Sequence, residues 1–327
     1  MSAPSLERLE RAAAGADAAP ATARRMLVIV NPYASTMSDR LKSLVVYALQ
    51  GRYQVEAVDT QRRGHAIELC REAAEDGFDV VCAFGGDGTV NEVANGLAGS
   101  GTPMTCLPGG ATNVYCRMLG IPNDVVDATE HLLRLADDWR PRPVDLGRVS
   151  GRYFTFSAGA GLDASAVERV DRHPRLKARY GAFFFTQQAV SVFLRRYVVS
   201  PPRLVVEVEG RRIEGVSAFV QNATPYTYFR RRPIQLADGA TLTSGDLAGV
   251  VLERASPVDI PTVLWRAFSP RAKMERHRQV SAFHGVDGVN VRAADDRGVP
   301  VQVDGDFIGT LDEAEFSVAP GALSVVA

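Results

Sequence analysis

Four cysteines in 327 residues set a first limit. Cys70, Cys82, Cys106 and Cys116 form no C-x-x-C pair and join no histidine at zinc-ligand spacing, so neither a disulfide framework nor a zinc site is encoded. All four sit within or beside apolar stretches, which reads as buried thiols in a reducing compartment. The histidines His65, His131, His173, His277 and His284 also lack metal-ligand spacing and read as structural. A surplus of one charge is missing too. The net charge of -1 leaves no general basic footprint for nucleic acid. No stretch reaches the roughly 20 apolar residues that cross a bilayer. The Ala-rich N-terminus is broken by charges, Gly15 and Pro20, and has no signal-peptide core. It reads as a flexible leader over residues 1–24, with one short helix at Ser5 to Ala14.

What is present is ordinary material for two cores: 46% hydrophobic and 23% charged residues. From Met26 strands and helices alternate. MLVIV at Met26 to Val30, Gln54 to Asp59, Asp79 to Phe84 and Met104 to Leu107 read as strands. Between them Leu41, Leu44, Val45 and Ala48, then Ala66, Leu69, Cys70 and Ala73, then Val90, Val93, Ala94 and Leu97 fall at helical spacing. Val126 to Leu135 is a further helix. This rhythm predicts a parallel sheet covered on both faces, a Rossmann-like α/β domain over residues 25–147. Val144 to Val149 and Tyr153 to Ser157 then read as a hairpin turned at Ser150-Gly151-Arg152. One helix follows at about Asp163 to Leu194, and after it strands at Leu204 to Val208, Ile213 to Gln221, Leu247 to Leu252, Val289 to Ala293 and Val299 to Asp304. Short strands punctuated by Gly and Pro predict a mainly β second domain over residues 148–315, with a tail from 316 to 327.

The segment Phe84-Gly85-Gly86-Asp87-Gly88-Thr89-Val90-Asn91-Glu92 carries the most chemistry. A strand enters, glycines turn the chain and a helix leaves. Such a turn lets backbone approach a ligand, and the helix start offers unpaired N–H groups and a positive dipole end to phosphate. Thr89 is placed to cap that helix, with Glu92 as capping-box partner. Asp87 would repel phosphate unless a cation stood between them, so it is read as holding Mg2+ through water. A tight turn alone would use the same letters. The P-loop lysine is absent.

These residues resemble the catalytic signature of diacylglycerol and sphingosine kinases and their bacterial relatives. NAD kinases share the shorter G-G-D-G. A second segment, Pro108-Gly109-Gly110-Ala111-Thr112-Asn113-Val114-Tyr115, followed by Leu119-Gly120-Ile121-Pro122, resembles the lipid-kinase form P-x-G-S/T-x-N with L-G-x-P, as in the actinobacterial branch. Asn31-Pro32, Thr60 before Gly64-His65-Ala66, Asp145-Leu146-Gly147 and Val303-Asp304-Gly305-Asp306 complete the match, from about Met26 to Ala327. The resemblance implies an α/β domain and a β-sandwich with ATP between them. Asn31, Thr60, Gly85, Gly86, Asp87, Gly88, Thr89, Asn91, Glu92, Thr112 and Asn113 would serve the nucleotide. Asp306 would be the general base, Asp87 and Asp145 would anchor Mg2+, and the tail would return to the first domain. Three departures stand out. Relatives carry Glu where this chain has Asp306. They carry Asp where it has Ser244, which leaves Asp246 as a weak metal ligand. They carry Gly where it has Ser35.

The implied activity is ATP-dependent phosphorylation of a membrane lipid hydroxyl, diacylglycerol to phosphatidic acid. The alternatives are a sphingoid or ceramide acceptor, an NAD-kinase-like enzyme, and a nucleotide-binding relative without turnover. Glu168 to Tyr197 mixes arginines with aromatics, and Arg230-Arg231-Arg232 adds a second basic cluster, which suits an anionic membrane surface or, equally, a solvated face. The expected location is cytoplasmic, peripheral at the inner face of the membrane. A homodimer is left open.

Overall fold

Three runs that are apolar on both sides of the chain, Arg25–Val30, Val80–Gly85 and Met104–Pro108, become inner strands of the first unit's parallel sheet, because helices on both faces remove any wet side. The computed structural model describes residues 7–10, 22–35, 37–171, 203–229, 232–269 and 271–327. Contacts divide the chain into Met1–Val144 with Ala322–Ala327, and Asp145–Gly321. The domain boundary expected after residue 147 compares with a division after Val144, and the tail expected from 316 compares with Ala322–Ala327.

In the first unit β1 (Arg25–Val30), β2 (Gln54–Asp59), β3 (Val80–Gly85) and β4 (Met104–Pro108) run parallel in the order β2-β1-β3-β4. β3 and β4 are buried at every position, while β2 is an edge with mostly exposed side chains. The chain's end extends this sheet, with Val325 in register with Met104 and Val326 N–H donating to the Met104 carbonyl at 2.9 Å. Around the sheet lie α1 (Asp39–Gln50), α2 (His65–Glu75), α3 (Asp87–Leu97), α4 (Val114–Met118) and α5 (Val125–Leu135). The first three helices bury most of the expected stripes, Leu41, Val45 and Ala48; Ala66, Cys70 and Ala73; Val90, Val93, Ala94 and Leu97, with Leu44 and Leu69 only half-buried. Gly96 lets α3 lie close on α2, since a methyl there would meet Ile67 O at 2.8 Å. Burial pushes the thiols of Cys70, Cys82 and Cys106 up, which keeps them protonated.

One part of the leader is built into this unit. Residues 7–10 are helical and Leu9 is fully buried. Arg8 reaches Asp127 at 3.1 Å and Glu130 at 2.6 Å on α5. Leu6 and Leu9, three apart among charges, fit the short helix expected there but are too few to reveal such docking.

In the second unit β5 (Arg142–Val149) and β6 (Arg152–Phe154) form the expected hairpin. Ser150 and Gly151 both have positive φ, 48° and 84°, which is the two-residue turn that matches strand twist. Then come β7 (Ser157–Gly161), α6 (Leu162–Asp171), β8 (Leu204–Val208), β9 (Arg211–Gly215), β10 (Ser217–Gln221), β11 (Thr227–Phe229), β12 (Arg232–Ile234) and β13 (Leu247–Leu252). They are followed by α7 (Ile260–Phe268), β14 (Val280–Val286), β15 (Gly288–Ala293), β16 (Val299–Val303), β17 (Asp306–Leu311) and β18 (Glu313–Val325). A six-stranded antiparallel sheet has the order β14-β13-β10-β7-β16-β17, and β18, β15, β8 and β9 pair in a second. Their facing side chains, among them Phe154, Val206, Val220, Phe283, Val291, Val301 and Phe316, make one core, as in a β-sandwich.

Three readings change here. The strand expected over Ile213 to Gln221 splits at Val216, because β9 pairs with β8 while β10 pairs with β13 and β7. α7, a nine-residue helix, interrupts the β domain where no helix was expected. β17 follows β16 after two residues, where no strand was expected. The basic segment 168–197 is described only to Asp171, and Arg230 and Arg231 lie outside the described residues. No described helix is long and apolar enough to cross a membrane.

Candidate active site

The order β2-β1-β3-β4 reverses direction between β1 and β3, and at such a switch the loops at the carboxyl ends of the strands diverge and leave room for a ligand. Asn31 follows β1, Thr60 follows β2, Gly86 follows β3 and Gly109 follows β4, so the predicted nucleotide residues of this unit share one sheet edge. Asn31 and Thr89 span the switch, with Asn31 Nδ2 donating to Thr89 Oγ1 at 3.2 Å. Thr60 N–H donates to the Val30 carbonyl at 2.8 Å, which places it beside Asn31.

The two glycine segments are packed backbone to backbone. Gly109 N–H donates to the Gly85 carbonyl at 2.8 Å. A methyl carbon on Gly109 would lie 3.0 Å from Gly85 Cα, and one on Gly110 would lie 2.8 Å from Gly86 Cα. On Gly85 it would strike the side chain of Thr89. These glycines are therefore required by close approach. Asn113 pins the second segment from within. Its Oδ1 accepts from Gly110 N at 2.8 Å, and its Nδ2 donates to Gly110 O at 2.9 Å and Asn123 Oδ1 at 2.8 Å. It holds φ at 50°, a left-handed conformation that Asn tolerates better than most residues. Thr112 is half-buried on the same segment.

The helix after the glycine loop starts earlier than its sequence suggests. Gly86 is the cap, Asp87 the first helical residue and Thr89 the third, so the capping box of Thr89 with Glu92 does not form. Glu92 instead reaches the start of α2, accepting from Gly64 N at 2.8 Å and Ala66 N at 3.3 Å. A carboxylate there meets the positive end of the helix. Asn91 is fully buried in α3, with its Oδ1 accepting from Asn95 Nδ2 at 3.2 Å. Asp87 is half-buried and accepts from Tyr115 N on α4 at 3.3 Å. The edge at the carboxyl ends of the strands is thus formed by Asn31, Gly86, Asp87, Gly88 and Gly110, while Asn91, Glu92 and Asn113 hold its shape.

In the second unit the motif Asp304-Gly305-Asp306 is a hairpin turn. Asp304 and Gly305 have φ of 48° and 84°, and Val303 pairs with Asp306 across the turn. Asp304 is buried and acts as a clamp. Its Oδ2 accepts from Thr155 N (2.7 Å) and Thr155 Oγ1 (2.9 Å), and its Oδ1 from Phe156 N (3.0 Å) and Ser157 N (3.1 Å). Asp306, the predicted base, is half-buried at the start of β17. Behind the turn stands a polar group absent from the sequence reading. Gln302 Oε1 accepts from Gly305 N at 2.9 Å, and its Nε2 donates to Asp163 Oδ2 at 2.7 Å. Tyr226 Oη donates to the same oxygen at 2.6 Å. Burial pushes the Asp163 carboxyl up, against the two bonds that hold it down.

Asp145 is also buried and belongs to this unit. Its Oδ2 accepts from Gly245 N at 2.7 Å and its Oδ1 from Gly321 N at 2.8 Å. It shapes the loop that contains Asp246. In that loop Ser244 Oγ donates to Asp246 Oδ1 at 2.7 Å and accepts from Thr241 N at 3.0 Å. Among the described residues no group of three or more His, Cys, Asp or Glu is placed to hold an ion. Asp87 is a single carboxylate, so a Mg2+ ion beside it would need its remaining oxygens from phosphates and water.

Comparison with known proteins agrees with this division. Residues 25–149 match the diacylglycerol kinase catalytic domain, and residues 156–327, more than half of the chain, match the YegS C-terminal NAD kinase beta sandwich-like domain. The chain therefore belongs to the family that joins these two domains, a family of ATP-dependent phosphotransferases with an alcohol acceptor. A diacylglycerol kinase of Bacillus subtilis is 32% identical over 201 residues, which span 59% of this chain and 62% of that protein. One of Staphylococcus aureus is 24% identical over 295 residues, 88% of each chain. The fold superposes on a diacylglycerol kinase crystal structure from Bacillus anthracis with a TM-score of 0.69 at 20% identity, covering 94% of this chain and 98% of that one.

Proposed function

We propose that this chain transfers the γ-phosphoryl group of ATP to the free hydroxyl of diacylglycerol, giving phosphatidic acid and ADP. The observation that carries this is the doubled glycine edge, Gly85–Thr89 against Gly109–Asn113, at the switch point of a parallel sheet. Backbone N–H groups at the start of α3 suit phosphate oxygens, which need donors and a positive field. Mg2+ would enter with the nucleotide, bound by phosphate oxygens and, through water, by Asp87. It would neutralise charge as the bond from the γ-phosphorus to ADP breaks. The lipid oxygen attacks that phosphorus and its proton passes to the Asp306 carboxylate. Asp304 and Gly305 set the turn that presents Asp306, and we assign Asp145 to shaping the loop around Gly245. A lipid acceptor places the work at a membrane surface, on the side where ATP is found, which is the cytoplasmic face.

The test is transfer of labelled γ-phosphate to a panel of lipids in mixed micelles with Mg2+: diacylglycerol, a sphingoid base and ceramide, with NAD as soluble acceptor. Label in diacylglycerol alone is the expected result. Label in another acceptor would replace the substrate, and no label with ATP still bound would remove the kinase reading.

A further inference from the structure

Among the described residues, the exposed large apolar side chains of the second unit are Phe229, Val258, Leu264, Trp265 and Phe268. Four of the five lie on or just before one helix. α7 is apolar on two sides. Val263 and Ala267 are buried against Leu236, Val250 and Met274 in a small core. On the other side Leu264, Trp265 and Phe268, at the spacing of neighbours on one helix face, stand out, with Leu264 51% and Trp265 63% exposed. Phe229 meets Phe268 edge to face at 5.5 Å and widens the patch, and Val258 is 76% exposed.

The polar residues of α7 do not break this face. Thr262 Oγ1 donates to the Asp259 carbonyl at 2.8 Å, and Arg266 donates to the Lys273 carbonyl at 3.0 Å. A helix that is apolar all round is ordinarily buried all round. A continuous exposed patch of this kind marks a docking surface. The surrounding charge says what docks. Residues 254–278 carry six basic and two acidic side chains, a net of four positive in a chain whose total is -1. The two acids are engaged, Asp259 with Arg278 at 2.7 Å and Glu275 with Lys273 at 3.6 Å, and Lys273 also pairs with Asp238, so Arg254, Arg271 and Arg276 carry the surplus. Arg254, Arg271 and Arg276, which flank α7 in the sequence, are exposed. Exposed apolar side chains on a helix flanked in sequence by exposed arginines match a membrane surface of anionic lipid, where Trp rests at the headgroup level and arginine meets phosphate.

We infer that Leu264, Trp265 and Phe268 of α7 insert into an anionic membrane surface and dock the chain on it. This deepens the proposed lipid-kinase reading and rests on it only for the purpose of the docking. The contacts themselves follow from the patch.

The chain has two tryptophans, Trp139 and Trp265, so Trp139→Phe leaves Trp265 as the single reporter. This full-length variant would be mixed with vesicles of phosphatidylglycerol and phosphatidylcholine. The expected result is a blue shift of Trp265 emission and quenching by lipid brominated in the acyl chain. Leu264→Ser with Trp265→Ser should lower vesicle partition by roughly tenfold or more at an unchanged melting temperature. Leu264→Ser alone, read by the same fluorescence, covers the case in which the double variant does not fold. Cosedimentation without any change in Trp265 emission would overturn the proposal by assigning docking to another face. A lipid-free dimer that buries Trp265 and dissociates on Trp265→Ser would overturn it in favour of a second copy. Transfer to a short-chain diacylglycerol dissolved as monomer separates the two readings. It should survive Trp265→Ser. If the wild type fails it while Trp265 still inserts, the kinase reading falls and the docking surface stands.

Discussion

At Gly85 an added methyl carbon would lie 2.7 Å from Thr89 Cβ, and at Gly110 2.8 Å from Gly86 Cα, whereas at Gly305 it would meet nothing within 4 Å. The first unit uses glycine so that two loops can touch. The second uses it because Gly305 sits at a φ of 84° in a two-residue turn. The acids differ in the same way. Asp87 is half-buried at a helix start and accepts from Tyr115 N of α4, whereas Asp304 is buried and accepts from Thr155, Phe156 and Ser157. One region is a cradle made of backbone. The other is a turn held by side chains, with Asp306, the proposed base, beside it. Substitutions should therefore fail by different routes, nucleotide binding in the first unit and turnover or folding in the second.

The largest expected effect is on turnover. Asp306→Asn should lower kcat by about 10²–10⁴-fold, the range for loss of a general base, with ATP affinity and melting temperature unchanged. Steady-state kinetics beside calorimetric ATP titration reads both. Asp304→Ala should instead destabilise the second unit by about 3 kcal/mol or more, because buried donors on Thr155, Phe156 and Ser157 lose their acceptor. Urea unfolding measures this, and a loss under about 1 kcal/mol would show that the clamp is not rigid.

Much of this contrast was readable beforehand, and the parts that were not have physical causes. The strands β1, β3 and β4 carry their burial in their letters, and the glycine loop announces a strand-to-helix turn. The packing of Gly85 on Gly109 and Gly86 on Gly110 needs the register of β3 on β4, which no local pattern contains. The clamp of Asp304 on Thr155 joins residues 149 apart in sequence. Glu92 suits a capping box by spacing and caps a neighbouring helix instead. The turn at Asp304-Gly305 had a signal, an Asp-Gly pair between two apolar runs, and β17 follows from it. The group of Asp163, Tyr226 and Gln302 had none, since each comes from a separate element.

Smaller effects sharpen the comparison. Gly110→Ala should cost about 1–3 kcal/mol through forced backbone movement and weaken ATP binding with it. Gly305→Ala should cost about 1–2 kcal/mol from the left-handed conformation and leave ATP binding alone. Equal losses of ATP affinity in the two variants would erase the distinction. The smallest is a pH effect at Asp163. Burial holds its folded pKa above the unfolded value of roughly 3.9, so its contribution to stability is complete below that value and is lost as pH rises through the folded one. Asp163→Asn cannot titrate. The melting temperature of the wild type minus that of Asp163→Asn should therefore fall as pH rises from about 4. A constant difference would mean that the fold does not raise the Asp163 pKa.

The account rests most directly on the claim that nucleotide binding and proton acceptance reside in different residues. Single-turnover transfer of γ-phosphate from pre-bound ATP to diacylglycerol, in wild type and Asp306→Asn, isolates the chemical step. The account predicts ATP bound equally in both and transfer lost in the variant. Transfer at the wild-type rate in Asp306→Asn would contradict it.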